Sequence, residues 1–420
     1  MVFSASCAVG IEKVVAGELE RIGIVPGARS AGRVGFETDA AGLAKALVRL
    51  RTVDRVFLQA GAFPARNFDE LFDGFREMPW ERWIGPKDRL VIEKAKSIQS
   101  ALSAQNSIQS VGQKAAYDRL CATYGVTRMP ETETGVMSRV RIERDVATVE
   151  IDMSGEALSR RGYRKRPTEA PLKESVAAAV LFLSGWRRSF PLYDPFCGSG
   201  TIPVEAALYA FDIAPGLGRG FAWEKMPDGS ARDVAMAKEE ARNAVRTDRD
   251  VLIAGSDADQ SALDAALANA GLAGVGDRIR FFKARAEEAA PFAERGFVIT
   301  DPPYGKRLGT PEEANALYAS LGAFADRFAR WELCFVVDRE EFGGFVGKNA
   351  VGKNAVGKNA VGKDAVGKDA VGRTGTDRNG PRNRRPARSP DGAWKKTKIV
   401  DGAETRWLHR SIARSGPSSR

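Results

Sequence analysis

A chain of 420 residues is long enough for two or three domains, and a hydrophobic content of 43% is ordinary for a protein that buries a core. One histidine and four scattered cysteines argue against a histidine-dependent hydrolase triad, a multi-histidine metal site and a disulfide framework, so no metal is expected. The net charge of +10 is uneven: 18 of the 64 basic and 6 of the 54 acidic residues lie between Val346 and Arg420, giving that stretch +12 and the first 345 residues −2. A nucleic-acid footprint in the folded part must therefore be local.

Residues 1–54 alternate strand and helix. Val2–Cys7 is strand-like, Ile11–Ile22 carries apolar residues at helical spacing (Ile11, Val14, Val15, Leu19, Ile22), Arg33–Thr38 alternates, and Leu43–Val53 is helical again. No signal peptide is visible in this start, and the longest apolar run, Val176–Leu183, is too short to cross a bilayer. A cytoplasmic protein without membrane contact is expected. Residues 55–157 form a second α+β module: strand Arg55–Ala60, helix Phe68–Trp83, strand Leu90–Lys96, helix Ile108–Tyr124. A hairpin then runs through Val136–Arg144 and Val146–Met153, turning near Glu143-Arg144-Asp145.

Residues 158–186 join this half to the next. They begin with Arg160, Arg161, Arg164, Lys165 and Arg166 around Tyr163, a cluster able to contact phosphates and to stack on a base, although a solvated loop has the same composition. A lead-in helix, Glu174–Leu183, follows. From 187 to 343 helix and strand alternate: strand Phe190–Tyr193, helix Thr201–Tyr209, strand Val251–Gly255, helix Ser261–Ala270, strands Ile279–Lys283 and Phe297–Thr300, helix Asn315–Phe328, strand Leu333–Val337. That alternation implies a mostly parallel sheet covered by helices. Five Val-Gly-Lys-Asn/Asp-Ala pentads occupy Val346–Ala370, and an Arg-, Pro- and Gly-rich run follows. The pentad fits no regular period, so 344–392 is expected to be a flexible basic insertion. Lys395–Val400 and Thr405–His409, joined by Asp401-Gly402, read as a closing hairpin within 393–412.

Two stretches carry chemistry. In Leu192–Glu205 an apolar strand runs into Asp194-Pro195-Phe196-Cys197-Gly198-Ser199-Gly200 and then a helix from Thr201, the opening of a unit that cradles a nucleotide-like ligand. About a hundred residues on stands Asp301-Pro302-Pro303-Tyr304-Gly305. An exocyclic amine is a poor nucleophile because its lone pair is delocalised into the ring. The Asp301 carboxylate and Pro302 carbonyl can hold its two N–H bonds, Pro303 stiffens the pair, and Tyr304 can stack on the extruded base.

Together the two stretches resemble the class I S-adenosylmethionine-dependent methyltransferases that act on exocyclic amines. Arg161-Gly162-Tyr163-Arg164, Ala170-Pro171-Leu172-Lys173-Glu174, Ala177-Ala178-Ala179, Ala214-Pro215-Gly216-Leu217 and Phe221-Ala222-Trp223-Glu224-Lys225 are similar to the THUMP-domain methyltransferases of bacterial large-subunit ribosomal RNA. The resemblance covers about residues 1–340 and resumes near Trp394. It implies an α/β chain: a Rossmann-like class I methyltransferase domain (187–343 and 393–412) behind a ferredoxin-like module (1–54) and a THUMP RNA-binding domain (55–157). It also implies S-adenosylmethionine as cofactor, held by Asp194, Gly198 and Gly200 at the methionine end, by Asp257 at the ribose, by Arg285 at the adenine, and by Pro195, Cys197, Thr201, Ala258 and Ala286. Arginine departs from the acidic or polar residue usual at position 285. Asp257 has a rival reading as a helix N-cap, with Asp259 competing for that post. Catalysis falls to Asp301, Pro302, Pro303 and Tyr304, and RNA contacts to Arg160, Arg161, Tyr163, Arg164, Lys165, Arg166, Lys306 and Arg307. Guanine and adenine present the same amine to these acceptors. The guanine-N2 assignment on large-subunit ribosomal RNA comes only from the resemblance. Transfer RNA, a non-catalytic assembly role and DNA adenine remain the alternatives.

Overall fold

The structure, a computed structural model, describes residues 1–130, 135–164, 172–303, 311–343, 346 and 394–411. Of the expected insertion, 344–392, only Val346 is among the described residues, and 165–171 of the basic linker lies outside them as well.

Two seven-stranded sheets organise what is described. The first holds β1 (Val2–Ser6), β2 (Pro26–Ser30), β3 (Arg33–Glu37), β4 (Arg55–Pro64), β5 (Arg89–Ile98), β6 (Gly135–Glu143) and β7 (Val146–Asp152), in the order β2-β3-β1-β4-β7-β6-β5. The two stretches read as separate α+β modules thus share one sheet, because β1 pairs antiparallel with β4, Ser4 opposite Phe57. They also share one core, in which Phe3, Val34 and Leu47 join Trp80, Ile108 and Val149. Helices α1 (Glu12–Arg21), α2 (Ala40–Arg49), α3 (Phe68–Glu77) and α4 (Gln105–Tyr124) supply the rest of that core. Helix α3 stops at Glu77, six residues short of expectation. Pro79 cannot continue it, and Trp80–Arg82 makes one 3-10 turn whose buried indole donates to the Phe75 carbonyl at 2.6 Å. The β6–β7 hairpin turns on Arg144 and Asp145, with φ of +50° and +61°, the mirror-image geometry that matches strand twist.

The second sheet holds β8 (Leu192–Asp194), β9 (Ile253–Asp257), β10 (Arg280–Lys283), β11 (Phe297–Thr300), β12 (Glu332–Val337), β13 (Trp394–Asp401) and β14 (Glu404–Ser411), in the order β10-β9-β8-β11-β12-β14-β13. Its first five members are mutually parallel, and the closing hairpin adds antiparallel on β12. Asp401 pairs with Glu404, so the hairpin loop is the two residues Gly402-Ala403. Both faces of the sheet are covered. Ile253, Ile299, Val336 and Leu408 face a core with α5 (Glu174–Ser184) and α6 (Thr201–Ala210). On the other side, Tyr193, Val298 and Phe335 face the aromatic side chains Phe324 and Phe328.

The two halves interlock. Helix α7 (Ala231–Asn243), which the sequence reading missed because most of its positions are polar or alanine, packs on α2 through Val234, Ala237 and Ala241. With Ala214, Phe221, Trp223 and Met226 it belongs to the core of the first sheet. In return, Val9 exchanges two backbone hydrogen bonds of 2.8 and 2.9 Å with Val400 of the closing hairpin. Gly10 makes that approach possible: its φ is +101°, and a Cβ there would lie 2.1 Å from the Lys398 carbonyl oxygen. Beside it Lys173 bridges Asp54 (3.2 Å) and Asp401 (2.9 Å).

Candidate active site

Order along the second sheet creates the site. Strand β8 lies between β9 and β11, so successive connections leave it in opposite directions and open a crevice at the strands' carboxyl ends. Asp194 ends β8, Asp257 ends β9, and Asp301 follows β11 directly. Three carboxylates from three adjacent strands therefore face one cleft of about 510 Å³, a size suited to a nucleoside-like ligand. The cleft is lined by Asp194, Pro195, Cys197, Gly198, Thr201, Asp257, Ala258, Arg285, Ala286, Asp301 and Pro303, which are eleven of the residues picked out from the sequence. Gly200 and Pro302 do not line it. Tyr304 lies outside the described residues, together with Lys306 and Arg307.

Local hydrogen bonds hold the glycine turn in shape. The Asp257 carboxylate accepts the Gly198 N–H at 2.9 Å on one oxygen and the Asp259 N–H at 3.0 Å on the other. Cys197 N–H donates to the Ser256 carbonyl (2.9 Å), and the buried Asn269 amide donates to the Ser199 carbonyl (3.0 Å). Asp259, not Asp257, caps α8 (Gln260–Leu272), its carboxylate accepting the Ser261 N–H at 2.9 Å. The rival post for Asp257 is thus filled, and its remaining lone pairs stay available to the cleft. The two glycines differ. Gly198, at φ +51°, has nothing within 4 Å of where a Cβ would stand, whereas a Cβ on Gly200, at φ +81°, would meet Ala266 Cβ at 3.0 Å and the Phe281 ring at 3.2 Å. Gly200 is therefore a packing glycine that seats α8 and β10 against the turn, and it lies outside the cleft's lining.

Asp194 is 1% exposed and accepts on one oxygen from the Thr300 hydroxyl (2.6 Å) and the Phe196 N–H (3.1 Å). Burial pushes its carboxyl up to about 8; the two hydrogen bonds oppose this, while the nearby charges of Asp301 and Asp257 add to it. Burial, with Asp194 and Asp257 beside it, also pushes the Cys197 thiol well above its ordinary value, so it is no nucleophile. Arg285 lines the cleft, yet its side chain is 67% exposed and pairs with Glu287 at 3.4 Å. Glu287 lines the cleft as well, and restores an acidic group to the region where arginine departs from the usual pattern. The sequence reading missed Glu287. It also missed Phe196, Ser199, Leu172 and Leu317 in the lining, and Thr300 behind Asp194. Phe196 and Ser199, inside the first motif, Leu172, inside a family-like segment, and Thr300, next to the second motif, carried a readable signal; Glu287 and Leu317 carried none.

The basic linker needs a correction. Arg161 and Tyr163, expected to contact RNA, are 8% and 4% exposed. The Arg161 guanidinium donates to the Leu158 and Arg51 carbonyls and pairs with Glu205 at 3.4 Å; the Tyr163 hydroxyl donates to Glu205 at 3.0 Å. Arg164 donates to the Leu172 carbonyl at 2.8 Å and the Thr201 hydroxyl at 2.9 Å. The cations turn inward because Glu205, fully buried on α6, and the Arg51 and Leu158 carbonyls need partners there. Arg160 is exposed and sits 3.4 Å from Glu156, and Lys165 and Arg166 lie outside the described residues. His409 is buried, its ring 3.0 Å from the Arg339 carbonyl, and burial lowers its pKa. No helix among the described residues is long and apolar enough to cross a membrane.

A sequence profile for the RMKL-like methyltransferase domain matches residues 161–365, and one for the RlmL ferredoxin-like domain matches residues 3–57. YpsC of Bacillus subtilis, named as a proposed RNA methyltransferase, is 34% identical over 351 residues, which are 82% of this chain and 90% of that protein. The ribosomal RNA large subunit methyltransferase K/L of Syntrophotalea carbinolica is 31% identical over 361 residues, 83% of this chain. The chain spans about half the length of that relative, 50%. Among solved structures, SMU.472, a proposed methyltransferase in complex with S-adenosylhomocysteine, superposes with a TM-score of 0.82 at 29% identity, over 99% of this chain and 98% of that one.

Proposed function

The chain belongs to the RMKL-like methyltransferase family, and from that premise we propose that it transfers a methyl group from S-adenosylmethionine to the exocyclic N2 amine of a guanine in large-subunit ribosomal RNA. One observation carries the chemistry: Asp301 opens into the same cleft as Asp194 and Asp257, from adjacent strand ends. The donor set suits this cofactor. Three carboxylates favour a cation, an acidic residue at the end of β9 suits a ribose diol, and the amino end of α6 suits a carboxylate.

Bound S-adenosylmethionine supplies an electrophilic methyl group. The protein's part is to hold the amine and steady the charge that grows on it. Asp301, 8% exposed, accepts one N–H in a site of low polarity; the family resemblance gives the other to the Pro302 carbonyl, which stands next to the cleft's lining between Asp301 and Pro303. The lone pair is thereby turned towards the methyl group, the positive charge on nitrogen develops beside a carboxylate, and the surplus N–H proton leaves to that carboxylate and on to water. Asp194 and Asp257 hold the cofactor, and the first sheet with its helices delivers the RNA. The large-subunit substrate rests on the K/L relatives, and the guanine on the family resemblance.

Substrate identity is tested by transfer of labelled methyl groups to total RNA from cells lacking this protein, followed by fractionation and nucleoside analysis. Label in large-subunit RNA as N2-methylguanosine is the expected result. Label in transfer RNA, or as N6-methyladenosine, would overturn the substrate while keeping the chemistry; no label in RNA or DNA would overturn both.

Cofactor binding should also depend on pH. Below about 8 the free protein keeps Asp194 protonated, whereas a cation in the cleft favours the carboxylate. Binding then releases a proton, so affinity rises with pH between about 6 and 8, by up to about tenfold per unit. Calorimetry in buffers of different ionisation heat reads the released proton directly. A flat profile, or the same slope in Asp194→Asn, would contradict this.

A further inference from the structure

Residues 161–164, turned away from RNA, lie across the helix that carries the cofactor turn. Arg161 and Tyr163 both reach Glu205 on α6, and Arg161 also grips the Arg51 carbonyl of the first half. Arg51 in turn donates to the Ile213 carbonyl at 2.8 Å, and its backbone N–H donates to buried Glu18 at 3.0 Å. A buried polar chain thus runs from α1 to the body of α6. Arg164 extends it to the first residue of α6, donating to the Thr201 hydroxyl while standing 3.5 Å from Glu174. Thr201 lines the cleft; Arg164 does not.

That arrangement has a chemical consequence. A hydroxyl that accepts from a guanidinium keeps its own proton to give, and the guanidinium restricts the directions in which that proton can point. The Thr201 hydroxyl is therefore poised as a donor at the amino end of α6, where backbone N–H groups and a nearby guanidinium favour an anion. The carboxyl groups of Asp194, Asp257 and Asp301 line the same cleft as the amino end of α6. The cleft thus offers both acidic side chains and donors.

We propose that Arg164 is a positioning residue for cofactor selection: it orients the Thr201 hydroxyl to hydrogen-bond the carboxylate of the methionine moiety, with Arg161 and Tyr163 fixing α6 behind it. The proposal rests on S-adenosylmethionine being the cofactor, so calorimetric titration of the wild-type full chain with S-adenosylmethionine comes first. Absence of binding there sinks the cofactor reading itself. Given binding, Arg164→Ala should weaken it about tenfold, the scale of one charge-assisted hydrogen bond, with RNA affinity unchanged. Decarboxylated S-adenosylmethionine should bind wild type more weakly and be indifferent to Arg164→Ala. In a Thr201→Val background, Arg164→Ala should add little.

Unchanged S-adenosylmethionine affinity with weakened RNA binding would overturn the proposal in favour of a phosphate contact. Equal losses for the two cofactors, or additive losses in the double variant, would overturn it in favour of a general role in folding. Should Arg164→Ala not fold, Thr201→Val carries the test: it must discriminate less between the two cofactors than wild type, and unchanged discrimination overturns the proposal.

Discussion

Replacement of Asp301 by alanine is expected to slow methyl transfer by about a hundred- to a thousandfold while leaving S-adenosylmethionine affinity within a few-fold. In the proposed reading Asp301 is the carboxyl member of the acceptor pair, and it is almost fully withdrawn from water, where an oriented carboxylate acts most strongly on charge developing beside it. Alanine leaves the Pro302 carbonyl alone to orient an amine that prefers to keep its lone pair in the ring. Asp301→Asn keeps an acceptor of the same shape without the charge, and should recover part of the loss. Single-turnover transfer to RNA, set beside calorimetry of the cofactor, separates the two effects. A variant at full rate would remove Asp301 from the chemistry, and a variant that no longer binds cofactor would move it into the binding site.

Asp257→Ala should have the largest effect on cofactor binding, weakening it by about a hundredfold or more. The carboxylate joins two tasks. It accepts the Gly198 and Asp259 N–H groups, and so shapes the turn; it also presents free lone pairs at the end of β9, where we propose that the ribose hydroxyls bind. Alanine removes both and leaves two backbone donors without their acceptor, each costing on the order of 1–3 kcal/mol where water cannot replace it. Asp257→Asn retains one acceptor oxygen and should fall between. The check is calorimetry alongside thermal melting. A Kd within about threefold of wild type, in a folded variant, would show that the ribose is held elsewhere.

Much of the second sheet was legible because its signals are local. A strand that runs into a glycine turn and then a helix is written in consecutive residues from Leu192 to Glu205, and Asp194, Gly198 and Thr201 stand together for the same reason. The closing hairpin was legible from Asp401-Gly402, although the turn falls one residue later, on Gly402-Ala403, with Asp401 still paired to Glu404. The strand ends of Asp257 and Asp301 followed from apolar runs that stop at an acid. What misled was charge. A run of arginines around a tyrosine has the composition of a nucleic-acid contact, and composition holds no record of which way a side chain turns.

What the sequence by itself determined is the class of fold, the glycine turn after β8 and the identity of the acids that meet at the strand ends, because each depends on residues a few positions apart and on backbone preferences that neighbours enforce. Tertiary structure alone decided the rest. It joined the two α+β stretches into one sheet through the β1–β4 pairing, and carried α7 across to the core of the other half. It set Gly200 against Ala266 and Phe281, and drew Arg161, Tyr163 and Arg164 inward to the Arg51 carbonyl just past α2 and to Glu205 and Thr201 on α6, between 37 and 110 positions away in the chain. The physical reason is common to all of these. A buried carboxylate such as Glu205 and a buried carbonyl such as that of Arg51 must be satisfied by whichever donor the packed chain brings within reach, and reach is a property of the fold.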